Sequence, residues 1–190
     1  LRAMVLVFKP GLTTVAILFS LFSFSAALAE PYIEITRDGG NFTVITSIEI
    51  ERSVEEVWPF MWEFRHIKGY ADNVQRVDSL GGGKDWYNVR YVGEFPFLHA
   101  EITNRKWIID EGKSVGTRLV NSLVQSPLPL AFIRAEGFWR LDSLGPDRSR
   151  VYFKNVLELR AAGMEWLYTP IAKRDGKRIM KNLKRYVESR

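Results

Sequence analysis

Apolar positions along the chain follow two periods, and each period predicts its own kind of element. From Thr43 to Glu51, Val44, Ile48 and Ile50 share one face with polar residues mostly between them, the two-residue repeat of a strand with one buried side. Comparable runs at Val74–Leu80, Trp86–Gly93, Ala100–Ile109, Gly116–Leu123, Phe132–Leu141 and Arg150–Leu159 bring the expected strands to seven. Gly81-Gly82-Gly83-Lys84-Asp85, Asp110-Glu111-Gly112-Lys113, Ser126-Pro127-Leu128-Pro129 and Gly145-Pro146-Asp147 read as the turns between successive runs. Turns this short do not carry parallel crossovers, so the sheet is expected to be antiparallel.

The helical period appears twice. Ser53-Val54-Glu55-Glu56 is a capping box, so a helix is expected to start at Val54 with Val57, Trp58, Met61 and Phe64 on its apolar stripe. Pro59 lies inside that stripe and predicts a kink, or two short helices meeting near Phe64. Met164 to Arg190 reads as a long amphipathic helix striped by Met164, Leu167, Ile171, Ile179, Met180, Leu183 and Val187, weakened near its start by Pro170 and Gly176. A curved antiparallel sheet needs something to cover its concave face, and this helix is the one long striped element left to do so. The fold class expected is α+β: a curved seven-stranded antiparallel sheet around a long C-terminal helix, with two short helices after the first strand.

Composition narrows the setting. A chain of 190 residues that is 46% hydrophobic supports one domain with a substantial core. The absence of cysteine removes disulfides, thiolate metal sites and a cysteine nucleophile together. Arg2 and Lys9, the apolar run Leu12–Phe24 and Ala27-Leu28-Ala29 have the layout of an export signal cleaved after Ala29, with an uncleaved membrane anchor as the alternative. The expected organisation is therefore a signal peptide at 1–29, a linker at 30–42 and one domain at 43–190, placed outside the cytoplasm, in a periplasm or secreted. Without Arg2 and Lys9 the net charge falls from +5 to about +3, with cations gathered on the last helix at Lys173, Arg174, Lys177, Arg178, Lys181, Lys184 and Arg185. They are either ordinary solvation or a transient contact with anionic membrane; nucleic acid is not an expected partner.

Alternation selects the inward-facing rows. Val151, Phe153, Asn155, Leu157 and Leu159 share one side of the last strand, and Ile133, Ala135, Gly137, Trp139 and Leu141 one side of the strand before it. A buried Asn155 amide must either bond a neighbour or meet the polar end of a ligand. Tyr87, Val89 and Tyr91 form another inward row, either as core or with hydroxyls facing a ligand, while Asn88 and Arg90 face out. Small residues opposite Trp139 favour a cavity over a filled core. His66 and His99 stand apart with no partner at ligand spacing, so no metal is expected and both read as surface or loop residues. Gly81-Gly82-Gly83 is a turn and not a phosphate cradle, since no helix start follows it, and no cofactor motif is present.

Three stretches carry a resemblance. Ser53-Val54-Glu55-Glu56-Val57-Trp58 follows the first strand, Ile133-Arg134-Ala135-Glu136-Gly137 with Trp139 opens the sixth, and Val151–Leu159 runs through Gly163 into Leu183-Lys184-Arg185-Tyr186-Val187-Glu188. In this order the chain resembles the helix-grip superfamily of START domains and polyketide cyclases (SRPBCC), most nearly the bacterial START-like lipid-binding proteins. The likeness spans Asn41 to the end. It implies that the loop Gln125–Ala131 and the first turns after Met164 close the mouth of a tunnel. START domains commonly carry a Pro-Arg-Asp-like turn where this chain has Phe97-Leu98-His99-Ala100-Glu101, a departure that bears on head-group specificity and not on the cavity.

The expected function is non-covalent binding, and with it transport, of a lipid, sterol, quinone or similar hydrophobic small molecule. Its expected contacts are Tyr87, Val89, Tyr91, Leu128, Trp139, Phe153, Asn155, Leu167 and Ile171, with no catalytic residue. The rival from another class is an aromatase/cyclase-like enzyme using a tyrosine or Arg90 on a poly-ketone. It ranks lower because no acid–base pair stands out and export separates the chain from cytoplasmic synthases. A ligand-free interaction module is the third reading, and a concavity filled by side chains would select it.

Overall fold

The computed structural model describes residues 30–95, 98–127 and 130–190, so the expected leader at 1–29 lies outside the described residues. The strands are β1 (Tyr32–Asp38), β2 (Asn41–Ile50), β3 (Val74–Gly82), β4 (Trp86–Phe95), β5 (Leu98–Asp110), β6 (Ser114–Gln125), β7 (Ala131–Gly145) and β8 (Arg148–Arg160). They form one antiparallel sheet in the order β1-β2-β8-β7-β6-β5-β4-β3. The sheet does not close, and β1 and β3 are its edges.

Eight strands replace the seven expected, and the addition is Tyr32–Asp38, in the segment read as a linker. Its signal was faint because an edge strand needs few apolar residues: only Ile33 and Ile35 sit between charged and polar neighbours. A turn with Gly39 at φ 59° folds it back on β2, in a register that pairs Ile35 with Val44.

Between β2 and β3 the chain forms α1 (Val54–Trp62), a 3-10 turn (Phe64–His66) and α2 (Ile67–Tyr70). Ser53 Oγ accepts from the Glu56 N–H at 3.3 Å while the Glu56 carboxylate accepts from the Ser53 N–H at 2.9 Å, so the capping box closes. The helix runs through Pro59 and ends at Trp62, three residues beyond it, and the N–H of the capping Glu63 bonds the Pro59 carbonyl at 2.8 Å. Two short helices meeting past Phe64 are therefore what forms.

The last element is shorter than its apolar stripe implied. A 3-10 turn (Glu165–Leu167) precedes α3 (Tyr168–Glu188). Pro170 falls in the first turn of α3, where a missing N–H is harmless. The two ends of α3 sit differently. Met180, Leu183 and Val187 are buried against Ile48, Ile50, Val57, Met61, Ile67, Tyr70, Leu141 and Val151 in the main core. Ile171, by contrast, is 47% exposed. Polar bonds fix the buried end: Lys184 Nζ donates to the Glu49 carbonyl at 2.9 Å and to Glu188 at 2.6 Å, and Glu188 accepts from the Glu51 N–H at 2.8 Å. At Gly69 of α2 a β-carbon would stand 2.2 Å from the Tyr186 ring, so glycine is what lets α2 lie against α3.

Candidate functional site

The helices cover only part of the concave face. Over the rest, between β2, β5, β7, β8 and the first half of α3, lies a cavity of about 540 Å³. That is within the range of pockets that enclose one small-molecule ligand. Val44 and Thr46 from β2, Leu98 and Ile102 from β5, Phe132 and Trp139 from β7 and Phe153 and Leu159 from β8 form its wall. Met164, Leu167, Tyr168, Ile171, Ala172, Gly176, Ile179 and Met180 form its roof, and Asn73, Ser126, Leu130, Ala161 and Asp175 complete it.

Sheet register explains why these side chains converge. Thr46 pairs with Phe153 and Phe153 with Trp139, so the three stand in one row across β2, β8 and β7. The Trp139 and Phe153 rings stack at 4.2 Å between centroids and 29° between planes, forming a flat aromatic floor. The roof is held by a compact turn after β8. Ala162 and Gly163 both take positive φ, and the Glu165 carboxylate accepts from the Ala161 N–H at 3.0 Å and the Gly163 N–H at 3.3 Å. Those backbone donors, helped by Arg37 at 3.8 Å, hold the Glu165 carboxyl below its ordinary pKa. Tyr168 then packs edge-on against Phe42, 4.7 Å between centroids, which seats the first turn of α3 on β2, and burial pushes its phenol pKa up.

Of the residues singled out in the sequence, Trp139, Phe153, Leu167 and Ile171 line the cavity. Leu128 lies outside the described residues, although Ser126 and Leu130 on either side of it reach the cavity. Tyr87, Val89 and Tyr91 point inward as alternation implied, but do not line the cavity. They face the end of the sheet that α1 and the 3-10 turn fill, where Tyr87 packs against Trp62 and Phe64 and donates its hydroxyl to the Trp62 carbonyl. Val89 is fully buried, and burial raises the Tyr91 phenol pKa well above its usual value. Asn155 is half-buried beside the cavity rather than in its lining. Gly137 makes room for it, since a β-carbon there would stand 2.9 Å from the Asn155 amide oxygen.

Two further placements differ from expectation. A bulge between Phe132 and Arg134 shifts the phase of β7, so Phe132 faces the cavity and Ile133, expected inside, is exposed. His66 is no free surface residue: its ring packs 4.6 Å from Phe60, with Nδ1 3.4 Å from the Tyr186 hydroxyl and Nε2 3.3 Å from Glu63. His99 and Glu101 share the face of β5 opposite to Leu98 and Ile102, so the pair lies away from the cavity, with His99 Nδ1 2.9 Å from Glu94. Arg90 also faces outward and pairs with Asp78 at 2.9 Å. Sequence reasoning missed Thr46, Phe132, Ala172 and Gly176, and placed Leu159 on an inward row without counting it among the contacts; the even-numbered row of β2 was the available signal for Thr46.

A group that sequence reading passed over lies at the filled end. Lys106 is only 4% exposed, and its Nζ donates to the Met61 carbonyl at 2.6 Å and lies 3.5 Å from that of Trp62. It satisfies carbonyls that the end of α1 leaves without helical partners. Burial pushes its pKa down to about 7.

No protein-family model matches the chain, and a search of curated proteins finds no match either. Solved structures do match. An aromatase/cyclase from Streptomyces sp. R1128, called Zhui, is 18% identical, with a TM-score of 0.63 over 79% of this chain and 95% of that one. A START superfamily protein from Mycobacterium smegmatis is 15% identical, with a TM-score of 0.65 over 77% of this chain and 97% of that one. A STAR-related lipid transfer protein from Xanthomonas axonopodis is 12% identical, with a TM-score of 0.61 over 82% of this chain and 98% of that one. At these identities the likeness defines the fold: the chain has the START-like helix-grip architecture.

Proposed function

We propose that the protein binds, and carries, one hydrophobic small molecule in the space between its sheet and the first half of α3. The observation that carries this reading is the unfilled volume of about 540 Å³ with a wall almost wholly of apolar and aromatic side chains. Transfer of apolar ligand surface out of water, at roughly 25 cal/mol per Å², supplies the affinity, and no covalent step is needed. Entry is at the rim of the roof, where Ile171 and Trp166 are exposed. Among the described lining residues Asp175 is the one charged group, and it pairs with Arg174 at 3.2 Å and Arg178 at 3.4 Å, which favours a container over an acid–base enzyme.

The proposed setting is outside the cytoplasm after cleavage behind Ala29, with Glu30 as first residue; the mass of the mature protein tests it against a retained anchor. A transient contact with anionic membrane would use Lys173 and Lys177, exposed beside the roof, since Lys181 and Lys184 are already engaged by Glu30 and Glu188. Sedimentation with anionic and neutral vesicles separates that contact from none. The decisive test of binding is gentle purification followed by native mass spectrometry and organic extraction. The expected result is one apolar adduct per chain. A protein that emerges empty and takes up no fatty alcohol, fatty acid, sterol, quinone or phospholipid contradicts the reading.

A further inference from the structure

The cavity stops against the core, and the residues that stop it belong to both. Trp139, Phe153, Ile179 and Met180 line the cavity and also pack into the main core with Leu183 and Val187. They are the partition between the hollow end of the concave face and the filled one. Along α3 the boundary is sharp. Every lining residue of the helix falls between Tyr168 and Met180, and the next buried residue, Leu183, takes no part in the lining.

Length and volume agree on what fits in front of that partition. From Tyr168 to Met180 is about 18 Å along the helix at 1.5 Å per residue, which an extended hydrocarbon covers in about 15 bonds of ~1.2 Å advance each. A methylene needs about the space of a water molecule, ~30 Å³ in the liquid, so a volume of about 540 Å³ receives roughly 18 carbon-sized atoms. Both point to one hydrocarbon chain, since a lipid with two such chains needs about twice the space. The enclosed part is uncharged as well. Among the described residues no lysine, arginine or histidine lines the cavity, and its one carboxylate, that of Asp175, is held by Arg174 and Arg178.

Of the four partition residues, Met180 is the one placed as the stop. Trp139 and Phe153 stack on each other as the floor, alongside which the hydrocarbon lies. Met180 is the last lining residue along α3 and is only 2% exposed, so it shows a little surface to the cavity and the rest to the core. Its unbranched side chain adapts to an irregular gap, and cutting it back adds its volume to the cavity it borders. Resting on the binding role proposed above, we infer that the ligand is a single-chain apolar molecule of about 15–18 carbon atoms lying along α3, and that Met180 stops its inner end and so selects its length.

The test is a competition among saturated 1-alkanols of 10 to 22 carbons presented together on cyclodextrin. The protein is re-isolated by gel filtration, and the alcohols it retains are extracted and measured by gas chromatography. Wild type is expected to retain lengths of about 15–18 carbons best and to take up the 22-carbon alcohol at least tenfold less. Met180→Ala removes three atoms from the end wall and should move the preferred length up by about two carbons; Met180→Val, a milder truncation that keeps the fold if alanine does not, should move it by about one. Leu183→Ala opens a void on the core side of the partition and should lower stability without moving the preferred length. Wild-type profiles in the Met180 variants, or the same shift from Leu183→Ala, overturn the role of Met180 and leave the carrier reading standing. Retention of no alcohol by wild type overturns both.

Discussion

The two ends of the concave sheet face have been solved in opposite ways by one sequence. At one end Tyr87, Val89 and Tyr91 meet α1 and the 3-10 turn, and the second half of α3 buries Met180, Leu183 and Val187 among them and the central strands. At the other, Thr46, Trp139 and Phe153 face the first half of α3 across open volume. Both ends use inward rows of similar apolar content, so hydrophobicity alone does not distinguish core from pocket. The difference is whether a second layer of side chains arrives: Trp62, Phe64 and Tyr186 fill one end, while Ala172 and Gly176 leave the other empty. Stability should therefore reside at the filled end and ligand affinity at the hollow one.

The largest effect expected at the filled end comes from Lys106. In the folded protein it loses its proton near pH 7, whereas the unfolded chain holds it to about pH 10. Between those values the unfolded state binds more protons, so stability rises with pH, by up to about 4 kcal/mol. Above that window the buried tyrosines, whose pKa values are raised, act in the opposite direction. Urea unfolding at intervals between pH 6 and pH 10 should show the rise in wild type and a nearly flat profile in Lys106→Met; parallel profiles would mean that Lys106 is solvated.

Leu183→Ala comes next. Leu183 is fully buried, and the truncation should lower the unfolding free energy by about 3 kcal/mol, read from denaturant midpoints. A matched pair of enlargements then compares the ends directly. Ala71→Leu inserts bulk among the packed residues of the filled end and should cost about 1–3 kcal/mol. Ala172→Leu grows into the cavity and should leave stability within about 0.5 kcal/mol while weakening ligand binding. Equal penalties would mean that the two ends are packed alike. The smallest stability effect is expected for Ile171→Glu, at an exposed position on the rim, which should lower affinity for an apolar probe at least tenfold in a titration without moving the denaturation midpoint.

Local chemistry was legible in the sequence where it was decisive. The Ser53–Glu56 capping box, the inward row of β8 from Val151 to Leu159 and the outward Arg90 follow from spacing alone. Features set by tertiary contact were not. β1 is an edge strand whose two isoleucines barely rise above their polar neighbours. The β7 bulge moves Phe132 inward and Ile133 outward, and a strict alternation cannot register one extra residue. Tyr87, Val89 and Tyr91 were rightly placed inside, but whether an inward row meets a helix or a void depends on where α1 docks. Lys106 escaped notice for the same reason: a lysine on a strand reads as solvated until the carbonyls of α1 arrive above it.

The most direct test of the hollow end is a crystal structure of the protein saturated with oleyl alcohol. The prediction is continuous ligand density along the Trp139 and Phe153 rings toward Ile171, with the α1 end of the sheet unchanged. A structure in which Trp139, Leu167 and Tyr168 close over that space, leaving no room for an acyl chain, would contradict it.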